Sequence, residues 1–140
     1  MKKIKFERGF YKTVLLFSLF FASRHCLYSQ SKPWPVPDKA SSAKNPLTAD
    51  AKTAQDGKAL YITYCAPCHG NNGKGDGPAA AALSVKPANH TSAAIQSETE
   101  GSLFYKISEG RPPMPPYKSA LSESQRWSLA GYIKTLGKKS

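Results

Sequence analysis

Hydrophobic positions follow two regimes along the chain. Near the N-terminus, Thr13 to Ala22 (TVLLFSLFFA) form one almost unbroken apolar run. From residue 48 onward, apolar residues recur at helical intervals instead. Gly57, Leu60, Tyr61 and Tyr64 share one face of a helix, predicted from a cap at Thr48 or Asp50 to about Tyr64. Leu129, Tyr132, Ile133 and Leu136 repeat that spacing in a last helix, which Ser122-x-x-Gln125 caps and Gly137 stops. Between them, Ser97-x-x-Glu100 predicts a capping box for a helix to about Glu109, with Leu103, Phe104 and Ile107 on one side and Gly110 at its end. Pro78 suits the first position of a short helix through Leu83. Residues 84–94 read as irregular, broken at Pro87. No alternating β-branched run appears, and every element predicted here is helical.

Gly57 weakens the first of these helices relative to alanine. It is tolerable where another helix crosses closely, and the face carrying Leu129 and Tyr132 is the expected partner. Proline and glycine punctuate the rest. Pro33, Pro35, Pro37 and Pro46 mark residues 31–47 as an extended leader, either pinned to the domain through Trp34 and Val36 or free as a tether. Residues 70–77 (GNNGKGDG) form a turn-rich loop that lacks the spacing of a phosphate cradle. Residues 111–117 (RPPMPPY) form a stiff loop, because proline fixes φ.

Charge refines the picture. The 140-residue chain carries a formal net charge of +11, but residues 1–30 hold six of the 20 basic residues and one of the nine acidic ones. The remainder, 14 basic against eight acidic, has net charge +6, which suits anionic partner surfaces. No Lys/Arg tract interleaved with aromatics points to nucleic acid. Lys2, Lys3, Lys5, Arg8 and Lys12 ahead of the apolar run make residues 1–30 a secretory signal peptide, cut near Gln30, or an uncleaved membrane anchor. The run is shorter than the ~20 residues of a comfortable span. The predicted organisation is a targeting segment (1–30), a Pro-rich leader (31–47) and one domain (48–140). Cys26 falls in the targeting segment, and its neighbours Ser23-Arg24-His25 fit a lipidation site poorly.

The mature chain keeps two cysteines, in Cys65-Ala66-Pro67-Cys68-His69. C-x-x-C-H is the attachment signature of a c-type haem. Two thiols three positions apart reach the two vinyl groups of a porphyrin, and His69 then offers an imidazole nitrogen to the iron. A redox dithiol would need a thioredoxin-like βαβ pattern, which is missing. A zinc site from Cys65, Cys68, His69 and His90 would need ligands in two separated pairs. The second ring nitrogen of His69 needs an orienting acceptor, for which the Pro78 carbonyl is the candidate. The sequon Asn89-His90-Thr91 is read as chance.

The sixth iron position has two candidates. Met114 is the chain's only methionine besides Met1 and sits in the stiff proline loop. His90 competes. Met114 is preferred, since His/Met ligation is the usual arrangement of cytochromes c and a stiff loop holds a thioether at a set distance.

Residues 48–137 resemble a small single-haem class I cytochrome c of bacterial type. The matching residues are Gly57 and Tyr61, Cys65 to Gly70, Gly73 to Pro78, Met114-Pro115, and Tyr132 to Leu136. The resemblance implies an all-α cytochrome c fold, with first and last helices crossing near Gly57 around one covalently bound haem c. It implies single-electron transfer between redox partner proteins of a respiratory chain, outside the cytoplasm. The carrier reading expects no catalytic residues, cofactor binding by Cys65, Cys68, His69 and Met114, and iron ligation by His69 and Met114. The alternative is a haem-bearing subunit of an oxidoreductase: a dehydrogenase, oxidase or peroxidase. About 90 residues bury a limited core, so the cofactor also serves as packing mass.

Overall fold

The computed structural model describes residues 33–137; the expected targeting segment and Cys26 lie outside the described residues. Pro35 onward forms one compact unit. Among the described residues the structure is helical, with one isolated bridge between Arg111 and Met114. The helices are α1 (Asp38–Ser41), α2 (Ala51–Tyr64), α3 (Ala66–His69), α4 (Ala93–Gln96), α5 (Glu100–Glu109) and α6 (Glu123–Leu136). None is long and apolar enough to cross a membrane.

Helices α2 and α6 form the frame. Asp50 caps α2 by accepting a bond from the Thr53 amide at 2.7 Å. Ser122 and Gln125 cap α6 reciprocally, as their spacing predicts. The two helices cross at Gly57: a β-carbon there would lie 2.4 Å from the Ser128 carbonyl oxygen and 2.9 Å from Tyr132 Cβ. Gly57 is thus the contact point, and Ser128 with Tyr132 is the surface it meets. One turn on, Tyr61 is fully buried, its ring 5.3 Å from that of Tyr132. Helix α5 closes the core with Leu103 and Ile107 against α6, and Phe104 stacks on Trp127 at 4.1 Å.

Four local expectations change. The cap of α5 is Thr99, not Ser97. Ser97 instead closes α4, an additional helix that Ser92 caps within the stretch read as irregular. The predicted helix from Pro78 shrinks to one 3-10 turn, Ala80–Ala82. Past Pro35 the leader is neither extended nor free. It contains α1 and docks on α5, where Gly101 lets the backbone approach: a β-carbon there would meet the Ala40 carbonyl oxygen at 2.3 Å. Thr99 Oγ1 donates to the Ser41 carbonyl at 2.6 Å. Asn45 Nδ2 donates to Glu100 Oε2 at 2.6 Å and to the Trp127 carbonyl at 3.3 Å. No side-chain periodicity encodes these contacts, because each is a single polar side chain or glycine meeting a partner far away in sequence.

The Gly57 crossing yields the first prediction. Gly57→Leu places a bulky side chain where a methyl group already overlaps backbone, so stability falls by about 1–3 kcal/mol. Denaturant titration beside wild type checks this; an unchanged midpoint contradicts the crossing.

Candidate haem site

Cys65 follows the last residue of α2, and its amide donates to the Tyr61 carbonyl at 2.9 Å. The chain then tightens into α3, with the amides of Cys68 and His69 both donating to the Cys65 carbonyl, at 3.1 and 2.8 Å. Both thiols and the imidazole therefore lie on one turn. Cys65 is buried, Cys68 half-buried, and both are free thiols. Burial pushes the Cys65 thiol up to about 12, so it stays protonated in this fold.

The glycine-rich loop folds back over this turn. The Gly75 amide donates to the His69 carbonyl at 2.8 Å, Gly77 to Cys68 at 3.1 Å, and Ala79 to Pro67 at 2.9 Å. A β-carbon at Gly77 would lie 2.4 Å from both the Ala66 and Pro67 carbonyl oxygens. The loop serves to close down on the motif, which explains its composition.

His69 Nδ1 bonds the Ala88 carbonyl at 2.9 Å. The acceptor is therefore Ala88 and not Pro78: the 3-10 turn carries the chain past Pro78, and the segment around Pro87 returns to the imidazole. This bond gives Nδ1 the proton and leaves Nε2 as the free electron pair. Burial lowers the pKa of His69, partly opposed by the Ala88 bond, which favours the neutral, ligand-competent imidazole.

His90 does not aim a ring nitrogen at His69. The two rings stack face to face, centroids 4.1 Å apart and planes 18° apart. A ligand opposite His69 would have to point at it across the iron, whereas His90 lies flat against it. His90 is 7% exposed, and burial, then the neighbouring His69, lower its pKa to about 3, so it is neutral. Its Nδ1 is bonded to Tyr61 Oη at 2.9 Å. The zinc candidates do not converge: among the described residues no group of three or more His, Cys, Asp or Glu side chains could hold a metal ion.

Met114 is half-buried and packs against the hydrophobic core. Its loop is pinned at both ends. Arg111 and Met114 exchange backbone bonds at 3.0 and 2.9 Å. The Tyr117 amide donates to the Ile107 carbonyl at 3.0 Å and Lys118 to Ser108 at 3.2 Å. Tyr117 Oη donates to the Tyr64 carbonyl at 2.8 Å, tying the methionine loop to the residue before Cys65. Buried Arg126 supports the same junction: it donates to Ser108 Oγ in the last turn of α5 and lies 4.8 Å over the Phe104 ring. A cation is favoured at a helix C-terminus.

The family described as cytochrome c oxidase, cbb3-type, subunit III matches residues 52–133. The chain belongs to this family of c-type cytochromes. The cytochrome is 31% identical over 94 residues to the cbb3-type cytochrome c oxidase subunit CcoP of Azospirillum brasilense. The match covers 66% of the cytochrome and 32% of that relative, so the chain spans about a third of its length. Among solved structures it resembles a chain of the reducing HAO-like protein complex of Kuenenia stuttgartiensis. The identity is 28% and the TM-score 0.61, covering 76% of the cytochrome and 51% of that chain. The all-α class read from the sequence agrees with this helical architecture.

The residues present in the cytochrome fit a haem c. Two free thiols share one turn with an imidazole whose outer nitrogen is occupied and whose inner nitrogen is not. Three contributors were not singled out in the sequence for what they do here: the Ala88 carbonyl, the Tyr61 hydroxyl and the Tyr117 hydroxyl. Only Tyr61 carries a usable signal, four residues before Cys65 on the same helical face.

The Tyr117 bond is testable by itself. Tyr117→Phe removes one hydrogen bond and leaves the packing, so stability falls by about 1 kcal/mol. Thermal denaturation checks this, and an unchanged transition contradicts the tie between the methionine loop and the motif.

Proposed function

We propose that this chain transfers single electrons through one haem c, attached by thioethers from Cys65 and Cys68, with His69 and Met114 as axial ligands. The observation that carries the reading is the Cys65–His69 turn, with His69 Nε2 left free by the Ala88 bond. When bound, haem supplies a one-electron couple that cycles between ferric and ferrous iron. The chain's residues do the rest. Cys65 and Cys68 fix the group, and the Ala88 carbonyl sets the tautomer of His69. The loop around Met114, braced by Tyr117, holds the thioether in place. A protein ligand on each side excludes small molecules from the iron, which favours electron transfer over peroxide chemistry. The neutral thioether favours ferrous iron and so raises the potential relative to two histidines.

A second reading places the domain within an oxidase assembly as its haem-bearing part. The match to cbb3-type subunit III and CcoP favours it. Both readings place the domain on the outer side of the cytoplasmic membrane, soluble in the periplasm or held by an uncleaved N-terminus. The partners are redox proteins with acidic docking surfaces, complementary to the net charge of +6 beyond residue 30.

The optical spectrum of protein made with a haem-attachment system tests the ligand set. Wild type shows the weak red sulfur-to-iron band in the oxidised state. Met114→Ala loses it and binds carbon monoxide when reduced, and Met114→His stays six-coordinate with a lower potential. A band absent from wild type, or surviving Met114→Ala, removes Met114 as the ligand. N-terminal sequencing of native protein separates the locations: a start near Ser31 means cleavage, whereas an intact Met1 in membranes means anchoring.

A further inference from the structure

The buried pair Tyr61 and His90 is unused by the scheme above. Tyr61 is fully buried on α2, and His90 is 7% exposed in the segment after Pro87. His90 is held at four points, two on its ring and two on its backbone. Its Nδ1 bonds Tyr61 Oη at 2.9 Å. The His90 backbone amide donates to the Gly73 carbonyl at 2.6 Å, and the His90 backbone carbonyl accepts from Gln96 Nε2 at 2.7 Å. The face of the His90 ring lies on the ring of His69. Gly73 makes room for the pair, since a β-carbon there would lie 3.1 Å from His90 Cβ and 3.3 Å from Tyr61 Oη.

Two buried polar side chains bonded to each other gain little stability over an apolar pair of similar size, because each is first stripped of water. Packing alone therefore gives no reason for an imidazole here. Its placement does: His90 is the ring in parallel face contact with His69, and Tyr61 is the group that stops His90 from turning.

We propose that Tyr61 and His90 are positioning residues for His69, fixing the plane of its imidazole about the bond from Nε2 to the iron. The inference rests on the haem reading. The Ala88 bond restrains His69 at its outer edge, and the His90 face restrains it from the side. Tyr61 also packs on Tyr132, so the crossing of α2 and α6 is relayed through Tyr61 and His90 to His69. The plane of an axial imidazole sets which iron orbital it overlaps. A held plane therefore gives one sharp ferric signal, and a free plane gives a spread of them. Groups behind a metal ligand that orient it tune the metal in this way.

Electron paramagnetic resonance of the ferric holoprotein reads this directly. His90→Ala should shift the low-spin g-values and broaden the lines. His90→Phe restores a ring face and should bring the line width back toward wild type. Tyr61→Phe leaves the stack and removes the bond, and should broaden the lines to a lesser degree. The melting temperature is recorded for each variant. If His90→Ala and Tyr61→Phe keep wild-type g-values and widths, the pair only packs and the proposal is overturned, whatever happens to the melting temperature. If wild type itself gives no ferric haem signal, high-spin or low-spin, the haem reading fails and takes the proposal with it, a result distinguishable because it precedes any substitution.

Discussion

At Gly57 the backbones of α2 and α6 approach until a single methyl group would sit 2.4 Å from the Ser128 carbonyl oxygen. The rest of the site depends on that contact. Residues 57, 61 and 65 follow one another at four-residue intervals along one face of α2. The crossing therefore buries Tyr61 against Tyr132 and then buries Cys65 at the helix end. A wider crossing would move the motif turn away from the core and expose the thiols.

The second constraint is that the methionine loop and the cysteine turn, some 50 residues apart in sequence, are fastened to each other. Tyr117 does this with its hydroxyl on the Tyr64 carbonyl, while its amide holds the end of α5. Leu121, buried just beyond, anchors the exit of the loop. Both proposed axial ligands thus belong to segments held by specific hydrogen bonds, backbone bonds within each and the Tyr117 hydroxyl between them. Such rigidity suits a centre that changes oxidation state, because little has to move when an electron arrives or leaves.

Much of this was legible in the sequence, for identifiable reasons. C-x-x-C-H is local, so its turn could be read without the fold. The helical faces at Gly57 to Tyr64 and Leu129 to Leu136 could be read because burial imposes a 3.6-residue period. The capping box at Ser122 and Gln125 is a short-range bond. What escaped reading was made by single long-range contacts between a side chain or glycine and a distant partner, which leave no pattern: Ala88 as the acceptor for His69, and the docking of residues 38–45 on α5. The Ser97 signature failed because two helices meet there, and Thr99 offered a second cap two residues on. His90 read as a rival ligand because histidine near a haem motif suggests coordination, whereas its stacking on His69 could appear only in three dimensions.

The central proposal is that Cys65 and Cys68 each form a covalent bond to one haem, which would keep the cofactor on the chain. Intact-mass measurement after denaturation in acid and organic solvent tests it most directly. The account predicts a polypeptide heavier by one haem, with the mass gain kept through extraction and localised to the peptide containing residues 65–69. A chain of unmodified mass, with the colour recovered in the solvent, would contradict it.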